Sequence, residues 1–192
     1  MFKDISWISE QITTSSQVIN DIGNKCIQEI LKSSQTIIEA LENDSKLLWC
    51  GNGGSAGQAQ HLSAELVCGL RSHDRRALAS ISLTTDTSLI TAWSNDVDYK
   101  EIFSRQIEAI GSKGDVLIAL STSGSSRNVV QSINTAKKLG LTVIGFTGMC
   151  DTYMKKTCDI TITIPSEDTQ RVQEGHILVG HIICEIIENH FK

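Results

Sequence analysis

Residues 49–65 read WCGNGGSAGQAQHLSAE, and few folds can use such a stretch. An apolar run ends at Trp49-Cys50, three glycines fall within the next four positions, and a helical pattern begins at once. That succession is a buried strand, a tight turn and a helix N-terminus, a βα unit of an α/β protein. Gly51, Gly53 and Gly54 permit positive φ and leave no side chains between the backbone and a ligand. Ser55 adds a hydroxyl where the N–H groups of the new helix point, a place suited to an anion and above all to phosphate. His61 and Glu65, four residues apart, share one helix face. Taken alone they read equally as a solvated pair. The turn also fits the dinucleotide pattern, as Gly51-x-Gly53-x-x-Ala56.

Further along, short apolar runs alternate with helical patterns. Strands are expected at Lys46 to Cys50, Arg76 to Leu83, Asp115 to Ser121, Thr142 to Thr147 and Asp159 to Ile164. Helices are expected from Gly54 to Leu70, from a Thr84-Thr85-Asp86 cap through Trp93, from Tyr99 to Ile110, from Asn128 to Leu139 and from Gln170 to Glu188. Ser94-Asn95-Asp96 reads as a loop. Before the first strand, residues 4–42 carry Ile and Leu at three- and four-residue steps, which predicts two amphipathic helices broken near Ile22-Gly23-Asn24. The expected fold is therefore α/β: a five-stranded parallel sheet flanked by helices in three layers, preceded by a helical hairpin. The chain reads as one domain, with residues 1–43 a helical segment used in packing or oligomerisation and residues 44–192 the ligand-binding core.

Composition narrows the function. A net charge of −5 argues against bulk binding to nucleic acid or anionic membrane. Six cysteines show no C-x-x-C pair, and several sit in apolar runs such as LLWC and HIICEII, which fits a reducing compartment. The N-terminal MFKDISWISEQ lacks the apolar stretch of a leader, and no segment is long enough to span a bilayer. A cytoplasmic protein without nucleic-acid or membrane partners is expected.

A second loop changes the weight of the first. Ser121-Thr122-Ser123-Gly124-Ser125-Ser126 again leaves an apolar strand and opens a helix, offering a ring of hydroxyls where a phosphate can sit. In a parallel sheet both loops lie beyond the carboxyl ends of the strands, where ligands bind. No Walker lysine is present, so a small phosphate ester suits the pair better than a nucleoside triphosphate. Together with Asn95-Asp96 and Arg171-x-Gln173-Glu174-x-His176 ending in His181, these residues resemble the phosphoheptose isomerase family of the sugar isomerase (SIS) superfamily. The resemblance spans nearly the whole chain.

The resemblance implies an SIS fold, a homotetramer with active sites shared between subunits, and one zinc ion per subunit. It implies conversion of sedoheptulose 7-phosphate to D-glycero-D-manno-heptose 7-phosphate, a step towards ADP-heptose. Carried over, Ser121, Thr122, Ser123 and Ser126 would hold the phosphate. Asn52, Gly53, Gly54, Asn95, Asp96 and Gln173 would contact the sugar, beside the Ser55 hydroxyl noted above. His61, Glu65, Gln173 and His181 match zinc-binding positions, and Glu65 and His181 match the acid/base pair. Those residue types suit the chemistry, because moving a proton between C1 and C2 through an enediol needs a base and an acid. Helical spacing alone is less favourable, since Gln173 and His181 are about 80° apart around a helix and Glu174 would pair with His181 more closely. His176 and His190 read as structural or surface residues. Two other classes remain: a non-catalytic SIS module that senses a phosphosugar or acts as a replication-initiator adaptor, and a dinucleotide oxidoreductase. The last lacks the acidic residue expected to close the second strand.

Overall fold

The computed structural model describes residues 4–150 and 152–192; the first three residues of the N-terminal stretch discussed above lie outside it. Five strands form one sheet: β1 (Leu47–Gly51), β2 (Ser80–Ser82), β3 (Val116–Ser121), β4 (Thr142–Thr147) and β5 (Ile160–Thr163). Their order is β2-β1-β3-β4-β5, and every pairing is parallel. The helices are α1 (Ile5–Lys25), α2 (Ile27–Glu42), α3 (Gly54–Cys68), α4 (Thr87–Asp96), α5 (Ile102–Ile110), α6 (Arg127–Lys138), α7 (Tyr153–Thr157) and α8 (Thr169–His190).

The period-two geometry of the strands explains the three layers. Leu47, Trp49, Val116, Ile118, Leu120, Ile144 and Phe146 point to one face, where they meet Ile22 of α1, Ile37 of α2, Leu62 of α3 and Val179 and Ile183 of α8. Leu48, Cys50, Leu117, Ala119 and Val143 point to the other, against Phe103 and Ile107 of α5, Val129 and Ile133 of α6 and Met154 of α7. Strands covered on both faces read as continuous apolar runs, which is why LLWC and VLIAL show no polar alternation. Each fully buried Leu or Ile in such a core contributes about 1.5–3 kcal/mol.

Four local expectations need correction. The N-terminal break falls at Cys26 rather than at Ile22-Gly23-Asn24: Gly23 stays helical, while the buried Cys26 leaves helical geometry (φ −118°, ψ −3°) and its Sγ meets the Thr163 carbonyl at 3.2 Å. An interior glycine costs a helix only about 1 kcal/mol, which packing outweighs. The second strand keeps three residues, because the stretch before it is held irregular by guanidinium contacts: Arg75 to the Glu65 carbonyl (2.8 Å) and Arg76 to the Leu41 carbonyl (3.0 Å). Residues 94–96 close α4 instead of forming a loop, with Ser94 Oγ donating back to the Ile90 carbonyl at 2.6 Å. The Tyr99–Ile110 helix begins as a 3₁₀ turn over Tyr99–Glu101, and α7 was not foreseen. The Asp86 cap is present, its carboxylate accepting from the Leu89 N–H at 2.9 Å.

His176 of α8 is fully buried, edge-on to Phe146 with ring centroids 5.7 Å apart. Burial pushes its imidazole down to about 4, against a contribution from the Thr147 backbone that pulls the other way. The folded state therefore holds it neutral while the unfolded chain protonates below the ordinary histidine value of 6.5. Stability is fully present above that value and is lost as pH falls towards about 4, at up to about 1.4 kcal/mol per pH unit. Urea unfolding at pH 7 and pH 5 should show this loss, and His176→Phe should flatten the slope between those two pH values.

Candidate active site

The strand order reverses direction between β1 and β3, which are direct neighbours with Gly51 opposite Leu120. In open parallel sheets ligands bind at such a switch point, outside the carboxyl ends of the strands. The loops that follow β1 and β3 are the glycine turn and the serine turn, so the register alone sets them side by side.

The three glycines of the first turn have separate reasons. Gly53 takes φ +55°, a backbone state that favours glycine. A Cβ at Gly51 would lie 2.9 Å from Ser55 atoms, and one at Gly54 would lie 2.5 Å from the Gln173 amide nitrogen. Ser55 is buried beneath the loop, its backbone and Cβ filling the space that a side chain at Gly51 would need. The Asn52 carboxamide bonds to Asn128 in the first turn of α6. In the second turn, Ser121 Oγ lies 3.0 Å from Ser126 Oγ and 3.4 Å from Ser123 Oγ. Gly124 takes φ +61°, and a Cβ there would meet the Thr147 and Thr152 hydroxyls at 2.5 Å. Mutually bonded hydroxyls can rotate to donate to an anion at the mouth of α6. The Thr122 carbonyl accepts from the Gly148 N–H at 3.1 Å, which ties the loop to the end of β4.

Helices α3 and α8 lie against each other with their chemistry at the contact. His61 Nε2 and His181 Nε2 are 2.8 Å apart, and His61 Nε2 is 3.4 Å from Glu65 Oε1. One donor atom from each of the three residues falls within 4.8 Å of the others. Two imidazoles and a carboxylate match the ligand types of zinc, and ligands of a tetrahedral zinc ion sit about 3.3 Å apart when bonds are 2.0–2.1 Å. The donor set therefore fits a divalent metal with little movement. Nearby, burial pushes the Cys184 thiol up to about 12, so it stays protonated and packs against the Leu62 carbonyl at 3.8 Å.

Gln173 stands apart from that trio within one chain. Its side chain lies over Gly54 and its carbonyl accepts from Gln58 Nε2 at 2.7 Å, whereas His181 is eight residues further along α8, a rise of about 12 Å. Glu174, which helical spacing would have paired with His181, instead meets Ser15 at 2.7 Å and Arg171 at 3.0 Å. Asn95 and Asp96 end α4, exposed and bonded to each other at 2.8 Å. Tyr99, which follows them in the chain, donates its hydroxyl to Asn52 Oδ1 at 2.9 Å.

Three residues important to this geometry escaped the sequence reading. Gly180 lies directly on Leu62, where any added methyl would overlap the leucine side chain, and its neighbour His181 meets His61 for that reason. A lone glycine inside a long apolar helix was the available signal, since it costs about 1 kcal/mol and asks for a packing cause. Asn128 could have been suspected from its place in the first turn of a helix. Tyr99 gave no signal.

The fold and this site define the class of protein. A model of the SIS domain matches residues 12–148, and the chain belongs to that family. Within it the chain is similar over most of its length to phosphoheptose isomerases. That of Clostridium acetobutylicum is 45% identical over 181 residues, covering 94% of this chain and 91% of the relative. That of Helicobacter pylori strain P12 is 51% identical, covering 86% of each. The solved phosphoheptose isomerase from Francisella tularensis superposes with a TM-score of 0.94 at 31% identity, covering 98% of this chain and all of that one.

The contact at Gly180 leads to a test. Gly180→Ala should separate α3 from α8 and lower the affinity of the His61/Glu65/His181 group for a divalent metal at least about tenfold, as read by competition with a chromogenic chelator. Circular dichroism should stay unchanged. Unaltered affinity would mean that the helix contact does not set the spacing of the two histidines.

Proposed function

We infer that this chain is an aldose–ketose isomerase that converts sedoheptulose 7-phosphate into D-glycero-D-manno-heptose 7-phosphate in heptose biosynthesis. The observation that carries the reading is the joining of 45% and 51% identity to phosphoheptose isomerases with a His61/Glu65/His181 group and a hydroxyl loop at the sheet's switch point.

In this reading Ser121, Thr122, Ser123 and Ser126 hold the phosphate at the mouth of α6, and Asn52, Gly53, Gly54, Asn95 and Asp96 contact the sugar. His61 lies seven residues, about 10 Å, down α3 from Gly54, so the metal-ligand group and the glycine turn are separate parts of the site. Glu65 takes the C1 proton of the ketose and the proton is returned at C2, passing through the 1,2-enediol. His181 moves a proton between O1 and O2 as the carbonyl changes place. His61, Glu65 and His181 would hold a zinc ion, which when bound polarises the carbonyl and stabilises the charge that develops on the enediol oxygens. Glu65 serves as ligand and base in different states of the cycle, since a tightly coordinated carboxylate is a poor base.

The same reading makes the protein a cytoplasmic homotetramer with shared sites, its N-terminal helices serving assembly. Ile5, Ile8 and Ile12 of α1 are exposed, and a cleft of about 340 Å³ between α1, α2 and α8 is lined by Ile19, Ile27, Leu31, Leu178 and Ile182. Gln173, too far from His181 in its own chain, would complete a metal site by reaching one in another subunit. No helix among the described residues is long and apolar enough to cross a membrane.

Turnover of sedoheptulose 7-phosphate by the purified protein tests the reading. The expected result is product formation that falls on adding a chelator and returns with zinc, with Glu65→Gln slower by a factor of about 10²–10⁴. Turnover indifferent to the chelator would remove the metal from the mechanism, and no turnover in any condition would sink the isomerase.

A further inference from the structure

The glycine turn and the first turn of α6 are locked together by two carboxamides. Asn52 Nδ2 donates to Asn128 Oδ1 at 2.8 Å, and Asn128 Nδ2 donates to Asn52 Oδ1 at 2.8 Å. Tyr99 adds its hydroxyl to the same Asn52 oxygen at 2.9 Å. The direction of this ring is fixed by the backbone. The Val129 N–H bonds to Asn128 Oδ1 at 3.0 Å, and an N–H can meet only an acceptor. Asn128 must therefore turn its NH₂ towards Asn52, and the Asn52 amide is oriented in turn. Asn128 is 2% exposed, so water does not compete for its bonds.

A carboxamide offers one oxygen with two lone pairs and two N–H donors. Both lone pairs of the Asn52 oxygen are taken, by Asn128 and Tyr99, and one of its N–H groups is committed to Asn128. One N–H remains. Asn52 lines a cleft of about 320 Å³ with Asp98, Tyr99, Lys100, Ser126 and Arg127, beside the hydroxyl loop, where a ligand can meet that last donor.

We propose that Asn128 and Tyr99 are specificity-determining positioning residues, which lock the Asn52 carboxamide so that it can only donate, and thereby select a substrate oxygen that accepts. The proposal rests on the reading of this site as one for a sugar phosphate. It also gives the Asn52 oxygen no part in recognition: a ligand group that needs an acceptor there finds none. Because Asn128 lies two residues after Ser126, the setting of Asn52 and the mouth of the phosphate cradle belong to one rigid unit.

The test is a double-mutant cycle on the full chain with sedoheptulose 7-phosphate. Asn128→Asp keeps the shape of the side chain but sets an oxygen against the Asn52 oxygen. It should raise KM by about tenfold, and Tyr99→Phe should raise it less. In an Asn52→Ala background Asn128→Asp should change KM no further, since Asn128 acts only through Asn52. An equal KM increase in both backgrounds, or no increase in either, would overturn the proposal. A second readout does not depend on turnover. In ¹⁵N-resolved NMR of the ligand-free protein, the Asn52 side-chain amide, identified by its loss in Asn52→Ala, should show one proton protected from exchange and one not, with protection lost in Asn128→Asp. Two rapidly exchanging protons would refute the lock even in an active isomerase. Protection in a protein with no turnover would leave the lock standing and remove the isomerase reading instead.

Discussion

The parallel pairing of β1 with β3 is the constraint on which the site depends. It joins strands that are not consecutive in the chain and makes them the point where the sheet's winding reverses. The two loops leaving that pair, and the helices they begin, carry Asn52, His61, Glu65, the hydroxyl loop and Asn128, while α8 brings Gln173 and His181 to them from beyond β5. A one-residue slip of the register would turn Trp49 and Ile118 to the opposite face and Leu48 and Leu117 with them. Both faces are packed to near-zero exposure, so the register is held by the whole core rather than by hydrogen bonds alone.

The second constraint is the contact of α3 with α8. These helices start at the same edge of the sheet and run side by side, with Gly54 under Gln173 and Gly180 on Leu62. Glycine appears at both contacts, once on each helix, and both times because a side chain of the other helix fills the space of a Cβ. The price is flexibility in the unfolded chain, and the return is a histidine pair at 2.8 Å. The apolar character of GHIICEII, which made His181 look like a core residue, belongs to the same arrangement. Gly180 lies on Leu62 of α3 and Ile183 and Cys184 are buried in the core, while His181 itself is half-buried at the contact.

Much of this was legible in the chain. Continuous apolar strands, a glycine turn and a hydroxyl turn specify a parallel sheet and its ligand edge, because each feature has a local physical cause. The His61–Glu65 pair was legible from the four-residue helical repeat. What could not be read were relations between distant segments. Nothing local distinguishes Asn128 from any other helix-capping asparagine until Asn52 is seen opposite it. The three-residue length of β2 depends on guanidinium contacts to α2 and α3, and the break at Cys26 depends on a carbonyl of β5. Gly23 misled for the same reason: its local penalty was visible and the packing that outweighs it was not.

The segment between α3 and β2, which matched no motif, shows how such distant relations are enforced. Glu188 near the end of α8 is buried, yet its carboxylate accepts from three successive backbone N–H groups, those of Leu70 (2.8 Å), Arg71 (2.9 Å) and Ser72 (3.1 Å). Burial pushes its pKa up, but the three N–H groups pull harder, and the carboxyl is held below its ordinary value. An ionised group in that position cannot leave its partners without losing their bonds in a place water does not reach. Arg75 completes the arrangement, 3.4 Å from Glu188 and donating to the Glu65 carbonyl at 2.8 Å. The loop thus fastens the turn of α3 that carries Glu65 to the helix that carries His181, seven residues before Glu188 on nearly the same face. A segment without regular structure is in this way tied to both α3 and α8.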